Sequence, residues 1–593
     1  YVGTINQRKY GRSIAIVLDD MVYSYPNVNT EITGGRSEIS GNFTVEEAKD
    51  LANVLKSGRM PAPSRIVQED VVGPSLGQEA IQKGLLSFAI AFIGVMLYMI
   101  LMYGVVPGLV VDGALLFNVF FLVGILASFK AVLTLPGIAG IVLTLGMAVD
   151  ANVLIYERIK EELAAGKTHK SAIADGYKNA LSAILDSNIT TIITAVILFY
   201  FGTGPIKGFA TTLIIGIVTS FFTAVFVTRW AYETLLDKNL TEKLSFTTKV
   251  SANFLSNVNL DWVKLRKVGY ILSITFMVVA IFSLAFHGLN QGIDFTGGRN
   301  YVIKFEESVS TQDLQRKLAP GFEDASVSVI TIGAVSENQV RISTNYKIQD
   351  NSDTVDDEIE NVLYEQLKPF IKNQTVTRDM FVKGYVINED GDAQLSSAGS
   401  VRPLGVQSSQ KVGPAIADDI KNAAYLAIFF SLIGIGLYIL LRFKDISYSA
   451  SIVVSLIHTS VFVLGVYSLF YSVMPFSMEI GQSFIAAILT VIGYSVNDTV
   501  VVFDRLRETI GLYPKRDRKE MFNYSVNATL ARTFNTTFST LLVLIIIFLL
   551  GGDTIRGFVF ALLLGITIGT YSTLFVSVPL AYDIQTKKLN KKK

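Results

Sequence analysis

The sequence predicts a polytopic α-helical membrane protein of two related halves, each an α+β polar lobe joined to a bundle of apolar helices. Three observations carry that prediction. Of 593 residues, 50% are hydrophobic and only 17% are charged, against about 25% charged in an ordinary soluble chain. Eleven apolar runs of roughly twenty residues are long enough to cross a bilayer. The second half also repeats the first at offsets between 340 and 349 residues, the mark of a duplicated architecture.

Residues 1–80 read as a polar lobe. Its clearest helix lies in "GNFTVEEAKDLANVLKSGRMPAP" (41–63): Thr44 caps an acidic first turn, and Ser-Gly with two following prolines stops it. The first membrane half, 81–236, carries apolar runs at 84–103, 109–128, 132–156, 181–201 and 207–231. A polar linker, 237–267, precedes a sixth run at 268–287. The second lobe, 288–418, reads as strand 300–305, helix 311–318, strands 325–332 and 338–344, helix 353–371 and strand 403–411. That order is a ferredoxin-like βαββαβ unit, with a polar insertion near 372–400 that has no assigned role. The second membrane half, 419–583, supplies runs at 421–441, 448–471, 482–505, 532–550 and 556–581, before a basic tail, 584–593.

The repeat is visible in matched segments. "VVGPSLGQEAIQKG" (71–84) returns as "KVGPAIADDIKNAA" (411–424), and "LGMAVDANVLIYERIKEE" (145–162) as "IGYSVNDTVVVFDRLRET" (492–509). Because the second half has a span ahead of its lobe, symmetry expects one ahead of residue 1, and twelve in the intact protein. Basic residues follow the third run, the run at 421–441 (Arg442, Lys444) and the run at 482–505, and fill the linker and tail. By the positive-inside rule these segments face the cytoplasm and both lobes face outward. Parallel repeats of this kind are a transporter architecture, with function at the interface between halves.

The absence of cysteine excludes disulfides and thiolate metal sites, and three scattered histidines argue against a zinc centre. No nucleotide motif appears. "GIDFTGG" (292–298) follows a span and lacks the Lys-Ser/Thr of a phosphate loop, so it reads as a tight turn between span and lobe. No cofactor and no nucleic-acid partner are expected, and energy must come from an ion gradient or a partner.

The chemistry concentrates in a few intramembrane polar residues. Asp150 is the only charged residue between Leu133 and Tyr156, and ionising a carboxyl at mid-bilayer costs at least ~3 kcal/mol. Its counterpart is Asn497, followed by Asp498, so each half offers an amide and a carboxylate at one depth: Asp150 with Asn152, Asn497 with Asp498. The next span in each half adds Asp186, Thr190 and Thr194, matched by Arg532, Thr536 and Thr540, each set on one helix face. An arginine favours the charged form of a nearby carboxylate and apolar burial the neutral form, so moving one relative to the other would load and release a proton. The plain alternatives are a solvated or neutral Asp150 and an Arg532 that snorkels to the headgroups. Asp186 reads as the solvated start of its helix, and Asp112 and Glu479 as solvated residues near span ends.

"GMAVDANVLIYERIKEE", "GIDFTGG", "GYSVNDTVVVFDRLRET" and "ARTFNTT", with the 41–63 segment, closely resemble the SecD–SecF fusion family of bacterial protein export, over nearly all of 1–583 and in the family's order. The family resembles RND exporters in its membrane core. The resemblance implies an inner-membrane protein that uses the proton motive force, sodium in some members, to complete export of unfolded preproteins. Implied partners are the SecYEG channel, the SecA motor and a YajC-type accessory protein. It carries over Asp150, Asp498 and Arg532 as the proton relay, with Asn152, Asn497, Asp186, Thr536 and Thr540 as supporting polar groups. The family's first span and the upper part of its first outward domain have no counterpart here, so the resemblance implies that 1–80 is the base part of that domain; the relay stays in place and substrate capture is put in doubt. An RND-type efflux pump would need larger outward lobes than 288–418. An intramembrane aspartyl protease on Asp150 and Asp498 would need a GxGD setting that neither "AVDAN" nor "SVNDT" supplies.

Overall fold

The computed structural model describes residues 13–57, except 14, 19–20, 29–37 and 42, and residues 68–590, except 73, 239–243, 253, 256–257, 324, 326, 333–337, 351–352, 389 and 397–402. Two compact units result, 1–67 and 68–593. In the first, a hairpin pairs β1 (Ile16–Leu18) with β2 (Met21–Ser24). Helix α1 (Val45–Ser57) opens on a reciprocal cap: Thr44 N donates to Glu47 Oε2 at 2.8 Å and Glu47 N to Thr44 Oγ1 at 3.2 Å. The Gly58 and prolines read as its stop lie outside the described residues.

Each apolar run becomes a helix longer than its hydrophobic stretch, because caps and polar helix formers extend it past the membrane interface. The first half supplies α2 (Pro74–Tyr103), α3 (Val105–Ser128), α4 (Leu135–Ala164), α5 (His169–Phe201) and α6 (Gly204–Asp237), the last with a π-helical turn at Thr223–Val227. Helix α5 begins twelve residues before its apolar run, where Thr168 Oγ1 accepts from Ser171 N. Helix α7 (Trp262–Phe286) starts inside the expected linker, capped by Asp261, whose Oδ1 accepts from Lys264 N at 3.0 Å. The second half then gives α8 (Ile293–Thr296), β4 (Gly298–Lys304), α9 (Thr311–Leu318), β5 (Val327–Ile332), β6 (Gln339–Thr344) and α10 (Asp353–Leu367). The insertion forms α11 (Arg378–Lys383) and a hairpin of β7 (Tyr385–Ile387) with β8 (Ala393–Leu395), after which comes β9 (Gly405–Val412). Spans α12 (Pro414–Phe443), α13 (Ile446–Phe470), α14 (Gln482–Leu512) and α15 (Arg518–Leu550) follow. The last helix, α16, runs from Asp553–Ser572 through a π turn at Thr573–Ser577 into Val578–Asn590. Among the described residues, eleven helices are thus long and apolar enough to span a membrane.

Strands β9-β4-β6-β5 are all antiparallel and ordered as a ferredoxin-like sheet requires. Phe322, Leu363, Phe381 and Tyr385 are in its core, so the insertion packs as part of the lobe. One element lies across the expected boundary: β3 (Gln68–Val72), read with the first lobe, is the fifth strand of this sheet. It pairs antiparallel with β9, and Asp70 faces Gln410, its equivalent in the repeat. The two repeat-related strands therefore meet about a pseudo-two-fold axis.

That axis continues into the bundle. Helix α4 packs on α15 and α14 on α5, while α2 packs on α15 and α12 on α5, a matched set across the halves. Within the apolar window, 94% of α14 is buried, against 22% of the peripheral α7. At the linker end a ring of charges obeys the same symmetry. Arg158 reaches Glu161 (2.8 Å) and Glu508 (3.4 Å), and Arg505 reaches Glu508 (3.0 Å) and Glu161 (3.4 Å).

Candidate functional site

Glycine sets the crossings that bring the polar residues together. A Cβ on Gly146 of α4 would lie 3.2 Å from the Thr540 Cα, and one on Gly493 of α14 would lie 2.2 Å from Thr194 Oγ1. These repeat-equivalent contacts let each central helix touch the fourth span of the opposite half. One helical turn beyond them stand Asp150 and Asn497, facing each other across the axis, with Asn497 Nδ2 3.5 Å from Asp150 Oδ2. The other oxygen, Asp150 Oδ1, is buried with no hydrogen-bond partner among the described residues.

Arg532 is 5% exposed, and its Nε and Nη1 have no partner among the described residues. It does not snorkel, and it forms no ion pair within 4.0 Å to either carboxylate. With Asp150, Asn497, Tyr494, Asn188 and Thr191 it lines a cavity of about 30 Å³, room for about one water. Asp498 has a different setting. Its Oδ2 accepts from Thr570 Oγ1 at 3.0 Å and Thr537 Oγ1 at 3.4 Å, hydroxyls themselves 2.9 Å apart. One carboxylate is thus held by threonines of its own half, and the other is left open toward an unpaired guanidinium.

The supporting residues divide. Thr540 Oγ1 meets the Tyr494 hydroxyl at 2.9 Å, while Thr536 hydrogen-bonds back to its own helix, at Arg532 O and Thr533 O. Asn152 Nδ2 donates to Ala148 O at 3.0 Å and is not part of the cavity. Thr190 and Thr194 also bond to their own helix, at Ser187 O and Thr191 O.

Three expectations are overturned. Asp186 is not a solvated helix start: it is 3% exposed, in the middle of α5. Arg442 Nε donates to both its oxygens (2.8 and 2.9 Å) and Tyr438 Oη to Oδ1 (2.6 Å), while Arg442 Nη2 bonds Ser182. The upstream extension of α5 shifts Asp186 inward, where α12 presents an arginine. Asp112 is buried in α3, and among the described residues neither of its carboxyl oxygens has a partner; α3 packs into the bundle here, where Tyr156 Oη donates to Pro107 O at 2.8 Å. Glu479 is not simply solvated but ion-paired to Arg341 at 2.6 Å.

Sequence reasoning missed Tyr494, Asn188, Thr537 and Thr570. Tyr494 alone carried a signal, as a polar group on the Asn497 face of an apolar helix. The others are serviceable only once α5, α15 and α16 have converged.

A family description for the C-terminal part of the protein-export membrane proteins SecD and SecF matches this chain twice, at 55–237 and 396–587. The chain belongs to the SecD/SecF family. The two matches are the two halves of the repeat, and the SecD/SecF GG motif matches 282–309. Residues 2–62 match the P1 head subdomain of SecDF, where the sequence reading assigned a base part. The protein translocase subunit SecDF of Thermus thermophilus is 34% identical over 96% of this chain and 71% of its own. The Bacillus subtilis subunit of the same name is 31% identical over 96% and 73%. The crystal structure of the translocon-associated membrane protein SecDF from Thermus thermophilus superposes with a TM-score of 0.76 at 32% identity, covering 98% of this chain and 73% of that one. SecDF in a super-membrane-facing form gives 0.66 at 33% identity. This SecD/SecF-family chain is therefore an integral membrane protein of protein export.

Proposed function

We propose that this chain is a proton-motive-force-driven accessory of the Sec translocon in the bacterial inner membrane. In this reading it acts beside the SecYEG channel, the SecA motor and a YajC-type protein to complete export of unfolded preproteins, and both lobes face outward. It is a translocation factor rather than an enzyme. The observation that carries the reading is the open pair in the axial cavity: a carboxyl oxygen of Asp150 and two nitrogens of Arg532, all buried and unpartnered, around space for a water.

An unpaired guanidinium and an unpaired carboxyl in one water-sized space are two ends of a switch. A small shift of α15 along α4 closes the ion pair, and protonation of Asp150 removes the attraction and reopens it. Asp498, held by Thr537 and Thr570 one residue past Asn497, is the second station. The transmembrane potential supplies ~2.3 kcal/mol per charge per 100 mV, comparable to the coupling energies that shift two-state equilibria. The guanidinium favours a proton over sodium as the coupling ion, since a bound sodium would need several oxygen ligands where Arg532 offers only donors.

Inverted vesicles carrying Asp150→Asn, Asp498→Asn or Arg532→Ala test this. Proton flux and precursor release should both fall to background in each, with assembly retained. Undiminished flux and release in all three would refute the relay.

A further inference from the structure

The GIDFTGG segment, read from sequence as a plain turn, holds a carboxyl group in an unusual place. Asp294 is in α8, between span α7 and strand β4. Its Oδ2 accepts from Gln482 N at 2.9 Å, so it caps the first turn of α14, the helix that carries Asp498. The loops around it are locked by backbone hydrogen bonds, Gly292 N to Ile480 O at 2.9 Å and Ile480 N to Asn290 O at 2.8 Å. Both glycines there let the carboxylates approach the backbone closely. A Cβ on Gly481 would be 2.6 Å from Asp294 Oδ2, and one on Gly292 would be 2.4 Å from Glu479 Oε1.

Asp294 and Glu479 border a cavity of about 220 Å³ between sheet and bundle, large enough for several waters. Asn300 and Ser477 also line it, and among the described residues the buried Asn300 Oδ1 and Ser477 Oγ have no partner. Buried oxygens beside two carboxyls in a space of this size are groups that cavity water can satisfy.

We propose that Asp294, with Glu479 and Arg341, is a second proton-binding site, at the sheet end of α14 and independent of Asp150 and Asp498. The Asp294 carboxylate takes a proton from cavity water and becomes neutral, and the hydroxide left behind is neutralised by bulk solvent. The charged cap on the α14 N-terminus is thereby lost, and with it a favourable interaction with the helix dipole. Arg341 belongs to β6 and pairs with Glu479, so the same event is felt by the sheet and by the axial helix.

The electrostatic setting agrees. Burial pushes the Asp294 carboxyl up to about 6, helped by Glu479 and by Asp70 on β3 and opposed by the Gln482 N–H and Arg341. The native state then holds a proton that the unfolded chain has lost between about pH 4 and pH 6, so this group's contribution to stability falls as pH rises through that window.

Infrared spectra of the full chain in nanodiscs, taken from about pH 5 to about pH 7.5, test the site. A protonated-carboxyl band should fade through about pH 6, be lost in Asp294→Asn and persist in Asp150→Asn and Asp498→Asn. Glu479→Gln should move its midpoint to lower pH and Arg341→Gln to higher pH, which keeps the test open if Asp294→Asn does not fold. A band unchanged in Asp294→Asn, lost in a relay variant instead, or shifted the same way by both neighbour substitutions would overturn the proposal. Because the relay variants are read separately, loss of the relay reading would leave this one standing.

Discussion

Replacing Arg442 by Met should destabilise the bundle more than replacing its partner Asp186 by Asn, and the difference follows from burial. Asp186 is 3% exposed and receives two contacts from Arg442 Nε and one from Tyr438. Without the arginine, a carboxylate is left inside with a single hydroxyl donor. Breaking a buried pair this way typically costs about 3–5 kcal/mol. The Arg442 side chain, by contrast, is 28% exposed. In Asp186→Asn it turns toward the headgroups, and what is lost is one set of charge-assisted hydrogen bonds, about 1.5–3 kcal/mol before the discount for partial solvation. The double variant should fall near Asp186→Asn alone, so the coupling energy should match the Arg442→Met loss, about 3–5 kcal/mol. Thermal unfolding of the four proteins in detergent measures the cycle. Equal, mild losses in both single variants, with no coupling, would mean that Asp186 is solvated and that the clamp between α5 and α12 does not hold the halves together.

Gly493→Ala should cost about 1–3 kcal/mol by overpacking, since its Cβ meets Thr194 Oγ1 at 2.2 Å. Adding Thr194→Ala should recover most of it, and failure to recover in unfolding assays would place the strain elsewhere. Asp261 makes an ion pair of 2.6 Å with Lys519 and accepts from Asn523 Nδ2 at 2.9 Å, contacts that pull its carboxyl down to about 2. A depressed folded value means stabilisation present above the unfolded value near about 4, and lost as pH falls toward 2. The neighbouring Trp262, whose Nε1 donates to Asn527 at 2.9 Å, reports this by fluorescence in a Trp230→Phe background. The acid transition should vanish in Asp261→Asn, and its persistence there would assign it to another group.

Much of the molecule was legible because membrane burial and duplication both leave linear marks. Eleven apolar runs became eleven helices, and the strand and helix order of 288–418 became a ferredoxin-like sheet, since period and length survive without knowledge of partners. Helix ends were less legible: α5 and α7 start early because Thr168 and Asp261 cap them, and a cap competes with composition over a few residues only. Strand β3 was assigned to the wrong lobe, because which edge a strand joins is a long-range choice.

The sequence by itself determined the two halves, the eleven spans, and the identities of Asp150, Asp498 and Arg532 as charges that a bilayer must explain. Only the tertiary structure decided their relations. It left Asp150 open toward Arg532 and gave Asp498 to two threonines. It turned Asp186 from a surface residue into a clamp, and Asp294 from a turn residue into the cap of the central helix. The physical reason is the same in each case. A buried polar group is defined by what satisfies it, and those partners come from other helices, from 39 residues away for Thr537 on Asp498 to 256 for Arg442 on Asp186, which no local pattern reveals.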